Sequence, residues 1–196
     1  MDWIEGVRKN SQAFFGEDAT ADDLSELTDR VNIMVGEVFK YVIELFRQHK
    51  WRRTGVIWWS LLDMWPMMFN YSVVDYHFRP KRPFHWIARS QYPVCLMADD
   101  PQEDGSIPIH AVNDTLKDAQ GDFTVATIGG DVLASGHFSV PANSVSTAIT
   151  LKPSQLPSGI LLIRWDGKFN HFTHGKPPWN FREYRAMVLA MDKLMP

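Results

Sequence analysis

The stretch from Arg52 to Lys81 reads RRTGVIWWSLLDMWPMMFNYSVVDYHFRPK, and the apolar run inside it constrains the fold more than any other part of the chain. Val56-Ile57-Trp58-Trp59-Ser60-Leu61-Leu62 is long enough for one strand and too short for a helix. Asp63 and Pro66 stop it. An uninterrupted run predicts a strand buried on both faces, as in a parallel sheet or a barrel wall, and such a strand needs neighbours on both sides. The loop that follows carries Asp63, Trp65, Met67, Met68, Phe69, Asn70 and Tyr71, more aromatic and sulfur-bearing surface than a connection requires. A loop at the C-terminal end of a barrel strand is where barrel enzymes place their sites.

The flanking patterns fit that frame. Residues 2–15 predict a short amphipathic helix closed at Gly16. From 22 to 48, apolar positions at Leu24, Leu27, Val31, Met34, Val35, Val38, Val42, Leu45 and Phe46 give a long helix, with Glu26 and Arg30 expected to pair on its wet face. Residues 83–90 supply one more helix, with Pro83 in its first turn. Helix, strand and helix amount to about one and a half of the eight repeats of a closed barrel. After Gln91-Tyr92-Pro93 the period becomes strand-like, with short runs at 94–97, 107–112, 123–128, 132–138, 145–151 and 159–165. Regular short strands without helices indicate an antiparallel sandwich. Gly129-Gly130 reads as a two-residue hairpin turn, and 181–195 as a closing amphipathic helix.

Gly55-Val-Ile-Trp-Trp-Ser-Leu-Leu-Asp63-Met-Trp65-Pro66, followed by Ser72-Val-Val-Asp75-Tyr76 and Arg79-Pro80-Lys81, resembles the last barrel strand and following loop of glycoside hydrolase family two, most of all its β-mannosidase-like members. Ser60 stands where those proteins write Asn or Gln, and Leu62 where they write a second Asn, so two amides able to bind sugar hydroxyls are absent. Ala111-Val112-Asn113-Asp114-Thr115-Leu116 resembles the immunoglobulin-like domain after the barrel, and Asn170-His171-Phe172 with Gly175-Lys-Pro-Pro178 resembles the terminal segment. The resemblance implies an α+β chain in three parts. Residues 1–91 would be the C-terminal piece of a (β/α)8 barrel, 92–175 an immunoglobulin-like antiparallel β-sandwich, and 176–196 a tail helix.

The same resemblance implies a retaining glycosidase acting on β-linked sugars, with Trp59 lining the subsite of the cleaved sugar, Asp63 and Trp65 shaping its mouth and Asn70 making a polar contact. Retention needs two carboxyl groups about 5–5.5 Å apart. In this family both are glutamates on earlier strands, one in an Asn-Glu pair, and this chain has no Asn-Glu pair. The expectation is therefore the C-terminal part of a hydrolase, inactive alone, whose partners are a carbohydrate and the missing N-terminal part of the same enzyme. Asp63 and Asp75 read as loop-fixing carboxylates, and Glu44 and Arg47 as structural. The alternative, from another class, is a non-catalytic carbohydrate-binding or protein-interaction module.

Composition narrows the field. A net charge of −3 and 45% hydrophobic residues give no basic excess for nucleic acid or an anionic membrane surface. No stretch is apolar enough to span a bilayer, and MDWIEGVRKN lacks a signal-peptide core. Eight tryptophans are unusual, and four of them fall between Trp51 and Trp65, where indole faces suit either core packing or stacking on pyranose rings. No metal or cofactor is expected: His171 and His174 have an odd spacing that a strand sends to opposite faces. There is no G-x-S-x-G elbow, Gly129-Gly130 precedes a strand where a phosphate loop needs a helix, and Cys95 lies in an apolar strand.

Overall fold

The computed structural model describes residues 3–16, 23–66 and 71–194. Four helices and seven strands follow one another as α1 (Trp3–Phe15), α2 (Leu24–Gln48), α3 (Arg82–Ser90), β1 (Val94–Ala98), β2 (Ile107–Asn113), β3 (Ala119–Thr127), β4 (Val132–Val140), β5 (Val145–Leu151), β6 (Gly159–Trp165), β7 (Lys168–His174) and α4 (Phe181–Asp192). All strand pairings between these elements are antiparallel. One sheet has the order β1-β2-β5 and the other β4-β3-β6-β7, so the chain changes sheets after β2, β4 and β5, as a Greek-key sandwich does. The α+β class expected from the sequence holds. Six strands match the expected runs, and the seventh, β7, comes from the polar stretch KFNHFTH, which carries no apolar run to announce it.

The period of two in β6 explains how the layers stack. Leu161, Ile163 and Trp165 point between the sheets, where they meet Cys95, Met97, Ile109, Phe123, Val125 and Phe138. Ile160 and Leu162 point the other way, into a second core with Phe15, Ile33, Trp86, Phe181, Tyr184, Val188 and Met191. Residues from each of the three expected parts of the chain share that second core. Burying each such side chain contributes about 1.5–3 kcal/mol. Helix α2 starts where the Asp23 carboxylate accepts the Glu26 N–H at 2.9 Å, and α4 where Asn180 accepts that of Glu183 at 3.1 Å. The approach of α2 to α3 requires Gly36, since a Cβ there would lie 2.5 Å from the Trp86 ring.

Three expectations need correction. First, residues 56–62 form no strand: their backbone makes only an isolated parallel bridge, Leu62 to Val74. Burial nevertheless alternates, with Val56, Trp58, Ser60 and Leu62 half-buried and Ile57, Trp59 and Leu61 exposed. One face packs on Phe39, Ile43, Val73 and Ile87, and the other has nothing over it among the described residues. A ladder needs an edge to pair with, and no described strand offers one. Second, Arg30 does pair with Glu26, at 2.9 Å from Nε, but the arginine is buried, with its guanidinium 4.3 Å from the centre of the Phe181 ring. The aromatic contact draws it off the wet face. Third, the β3–β4 turn holds three residues, because Thr127 N–H donates to Asp131 and Gly130 N–H to Thr127, and of the two glycines only Gly130 has positive φ.

Candidate functional site

Helix α2 ends at His49, whose carbonyl accepts the N–H groups of both Arg52 and Arg53 at 3.2 Å. The chain then runs across α2 and α3, laying Trp58 against Phe39 with ring centres 6.3 Å apart. Trp59, one residue on, turns outward and is 80% exposed. The peptide between Trp59 and Ser60 is cis. Beyond it, three short pieces of chain lie side by side. The Leu61 carbonyl accepts from Val74 N–H at 2.9 Å, Asp63 N–H donates to the Val74 carbonyl at 3.1 Å, and Lys81 N–H donates to the Val73 carbonyl at 2.9 Å.

At the join of these pieces sits a buried polar knot. Asp63 is 2% exposed and Ser72 fully buried. The Ser72 hydroxyl donates to Asp63 Oδ1, and the Lys81 ammonium lies 2.7 Å from Asp63 Oδ2 and 2.7 Å from Ser72 Oγ. Asp63 therefore faces inward and does not meet solvent, while Trp65, two residues later, is 56% exposed. Asn70, with Met67, Met68 and Phe69, lies outside the described residues. Asp75 fixes the next turn: its Oδ1 accepts the His77 and Arg79 N–H groups at 2.8 and 2.9 Å, and its Oδ2 takes the Arg79 guanidinium at 2.7 Å. The Arg79 backbone bond, ahead of its side chain and the His77 amide, holds the Asp75 carboxyl below the usual range. Nothing in the sequence marks Ser72 and Lys81 as partners of Asp63. A lone carboxylate closing an apolar run was the available signal, because a buried charge demands a partner.

Glu44 and Glu37 are committed elsewhere. No glutamate lies between Glu44 and Glu103. Glu44 is buried against Lys40 Nζ at 2.8 Å and accepts from Asn170 at 2.8 Å, while Arg47 reaches Asp114 at 2.6 Å and the Tyr92 carbonyl at 2.8 Å. Both thus tie α2 to the sandwich. Glu37 accepts from the Tyr184 hydroxyl at 2.5 Å and faces His171 Nε2 at 3.3 Å. Burial pushes the His171 ring down to about 4, so it is neutral at pH 7 and donates through Nε2. Burial works to raise the Glu37 carboxyl, but His171, Lys40 and the Tyr184 hydroxyl outweigh it and hold it at about 2. His174 turns away from His171 and bonds the Pro157 carbonyl at 3.2 Å, and burial drives the Cys95 thiol well up, out of reach of thiolate chemistry. A cleft of about 520 Å3 opens beside Glu37, walled by Phe14, Tyr41, Asp100 and Trp179, and Trp59, Asp63 and Trp65 do not line it.

No protein-family model matches the chain. It is 26% identical over 172 residues to Beta-mannosidase B of Aspergillus fumigatus and, equally, to that of Neosartorya fischeri. The alignments cover 80% of this chain and 20% of those proteins, so the chain spans about a fifth of the length of the relatives it matches. In fold it is similar to the β-D-mannosidase of Dictyoglomus thermophilum, with a TM-score of 0.70 at 19% identity over 86% of this chain and 22% of that one. It is also similar to the exo-chitosanase of Amycolatopsis orientalis, with a TM-score of 0.62 at 15% identity over 87% and 21%. The likeness to β-mannosidase-like glycoside hydrolases read from the motif at 55–66 is thus met again in sequence and in fold.

Proposed function

We propose that this chain is part of a retaining glycoside hydrolase acting on β-linked sugars, β-mannosides first among them, and that it supplies the last barrel strand and one wall of the pocket. The observation that carries the reading is the divided face of residues 56–62, in a chain whose sequence follows β-mannosidases. Val56 and Trp58 rest on α2 and α3, as a barrel strand rests on its outer helices, and Ile57, Trp59 and Leu61 look out on the side where a barrel interior would lie. Trp59 then offers its indole face to the ring of the sugar being cleaved. Trp65 shapes the mouth, Asp63 holds the loop that carries it, and Asn70 makes a polar contact.

Two carboxyl groups must flank the scissile bond, one protonating the departing oxygen and the other attacking the anomeric carbon. The only carboxylates in residues 52–81 are Asp63, engaged by the Ser72 hydroxyl and the Lys81 ammonium, and Asp75, engaged by the His77 and Arg79 N–H groups. Both catalytic glutamates would come from the remainder of the enzyme. The test is to assay aryl β-mannosides with the purified chain, then with the chain co-expressed with the coding region that precedes it. The expected result is no turnover by the chain alone and turnover by the pair. Hydrolysis by the chain alone that disappears in Asp63→Asn or Asp75→Asn would overturn the reading, and preceding coding sequence without an Asn-Glu pair would favour a binding module.

A further inference from the structure

We infer that Lys81 is a positioning residue for the sugar-facing loop, an inference that rests on the glycosidase reading above. Its ammonium joins three pieces of chain at once. It meets Asp63 Oδ2 at 2.7 Å and Ser72 Oγ at 2.7 Å, while its own N–H bonds the Val73 carbonyl at 2.9 Å. Asp63 and Ser72 are the two ends of the loop that contains Trp65, and both are buried. A carboxylate in that position is stable only while a cation neutralises it, since an uncompensated buried charge is expelled to water or protonated. Lys81 supplies that cation to the inward-turned Asp63 carboxylate at 2.7 Å. That turn in turn sets the direction of the chain at Trp65, two residues on, and keeps the Asp63 N–H on the Val74 carbonyl beside the Leu61–Val74 bond that anchors the end of the Trp59 segment. The Lys81 side chain is 11% exposed, with its ammonium held on Asp63 and Ser72, so it acts through Asp63 and not on the sugar.

The effect of losing Lys81 is expected to be local, because Asp63, Ser72 and Lys81 belong to none of the apolar cores. The test uses the full 196-residue chain, with its tryptophan indole N–H resonances assigned and methyl β-mannoside as the probe. Lys81→Met is expected to move and broaden the Trp59 and Trp65 signals, leave Trp86 and Trp165 in place, and weaken mannoside binding by about tenfold or more. Lys81→Arg, which keeps the cation, restores most of both. Should Lys81→Met not fold, Asp63→Asn combined with Lys81→Met removes both charges at similar volume and is expected to displace Trp65 in the same way. The inference is overturned if Trp59, Trp65 and the affinity keep their original values, or if Trp86 and Trp165 shift as much as Trp65. If the unmodified chain binds no mannoside yet Trp65 responds to Lys81→Met and recovers in Lys81→Arg, the sugar assignment fails and the control of the loop by Lys81 stands.

Discussion

Strand β6 and residues 56–62 are sequences of the same kind, GILLIRW and VIWWSLL, and they end in different states. Strand β6 pairs with β3 on one edge and β7 on the other, and helices cover the face it turns away from the sandwich core. Residues 56–62 find helices for one face and, among the described residues, only the isolated Leu62–Val74 bridge at an edge. The difference shows that an apolar run specifies which faces want burial, whereas a strand also needs edges within reach of the same chain. The sandwich supplies its own. The segment before it carries a pattern that the described residues complete only by half, and the open half is where Trp59, expected to line the sugar subsite, resides.

The largest consequence is in local stability. Amides of β6, such as Leu161 and Ile163, sit in the middle of a four-stranded sheet and are expected to exchange only on global opening, whereas Ile57 and Trp59 belong to no ladder among the described residues. Native-state hydrogen exchange is expected to separate the two groups by at least about 1,000-fold in protection, since global stabilities of about 5–15 kcal/mol correspond to that factor or more. Equal protection in a chain shown to be monomeric would break the comparison, because residues 56–62 would then hold a complete set of partners.

A smaller effect separates the buried seam between helices and sandwich from both regions. His171 has a folded pKa of about 4, below the unfolded value of about 6.5, so as pH falls through that window the unfolded chain takes up a proton that the folded chain refuses. Stability is therefore full above about pH 6.5 and declines toward pH 4, by on the order of 3 kcal/mol. Glu37, held at about 2, adds a second loss as pH falls from about 4.3 toward 2, where the folded carboxylate finally protonates. Urea unfolding followed at pH 7, 5.5 and 4.5 should show the midpoint falling, and His171→Gln should flatten the slope. A slope that survives in His171→Gln would assign it to another group.

How far the sequence could be read follows the same division. The long helix, six of the seven strands and the tail helix were legible because each carries its own period, and the pairing of Glu26 with Arg30 because it is local. The burial of Arg30 was not, since it depends on Phe15 and Phe181, one of them 151 residues away in sequence. Strand β7 carries no apolar run because Asn170 and His171 are buried polar residues, bonded to Glu44 and Glu37 across the seam. At the candidate site, the number and spacing of the tryptophans leave core packing and ring stacking both open, and the loop-fixing role of Asp75 is legible from its place in a turn. Ser72 and Lys81 were not, because nothing in a one-dimensional pattern says which of several cations a buried carboxylate will choose.

The smallest expected effect on the fold is also the one that most sharpens the contrast between the two regions. Trp59→Ala removes a side chain that is 80% exposed and belongs to no core, so the stability of the isolated chain should change by no more than about 0.5 kcal/mol. Trp86→Ala is the control, since it empties a fully buried site packed on Gly36 and His171 and should lose about 3–5 kcal/mol. The order inverts for sugar. In the assembled enzyme Trp59→Ala should sharply reduce binding and turnover of aryl β-mannosides, because an indole held open to solvent at no gain to folding is free to stack on a ring. Thermal melts of both variants beside their kinetics decide the matter. If Trp59→Ala lowers the melting temperature of the isolated chain as much as Trp86→Ala, and the enzyme that remains folded keeps its normal KM and kcat, then Trp59 is a packing residue and the pocket wall must be sought on another part of the chain.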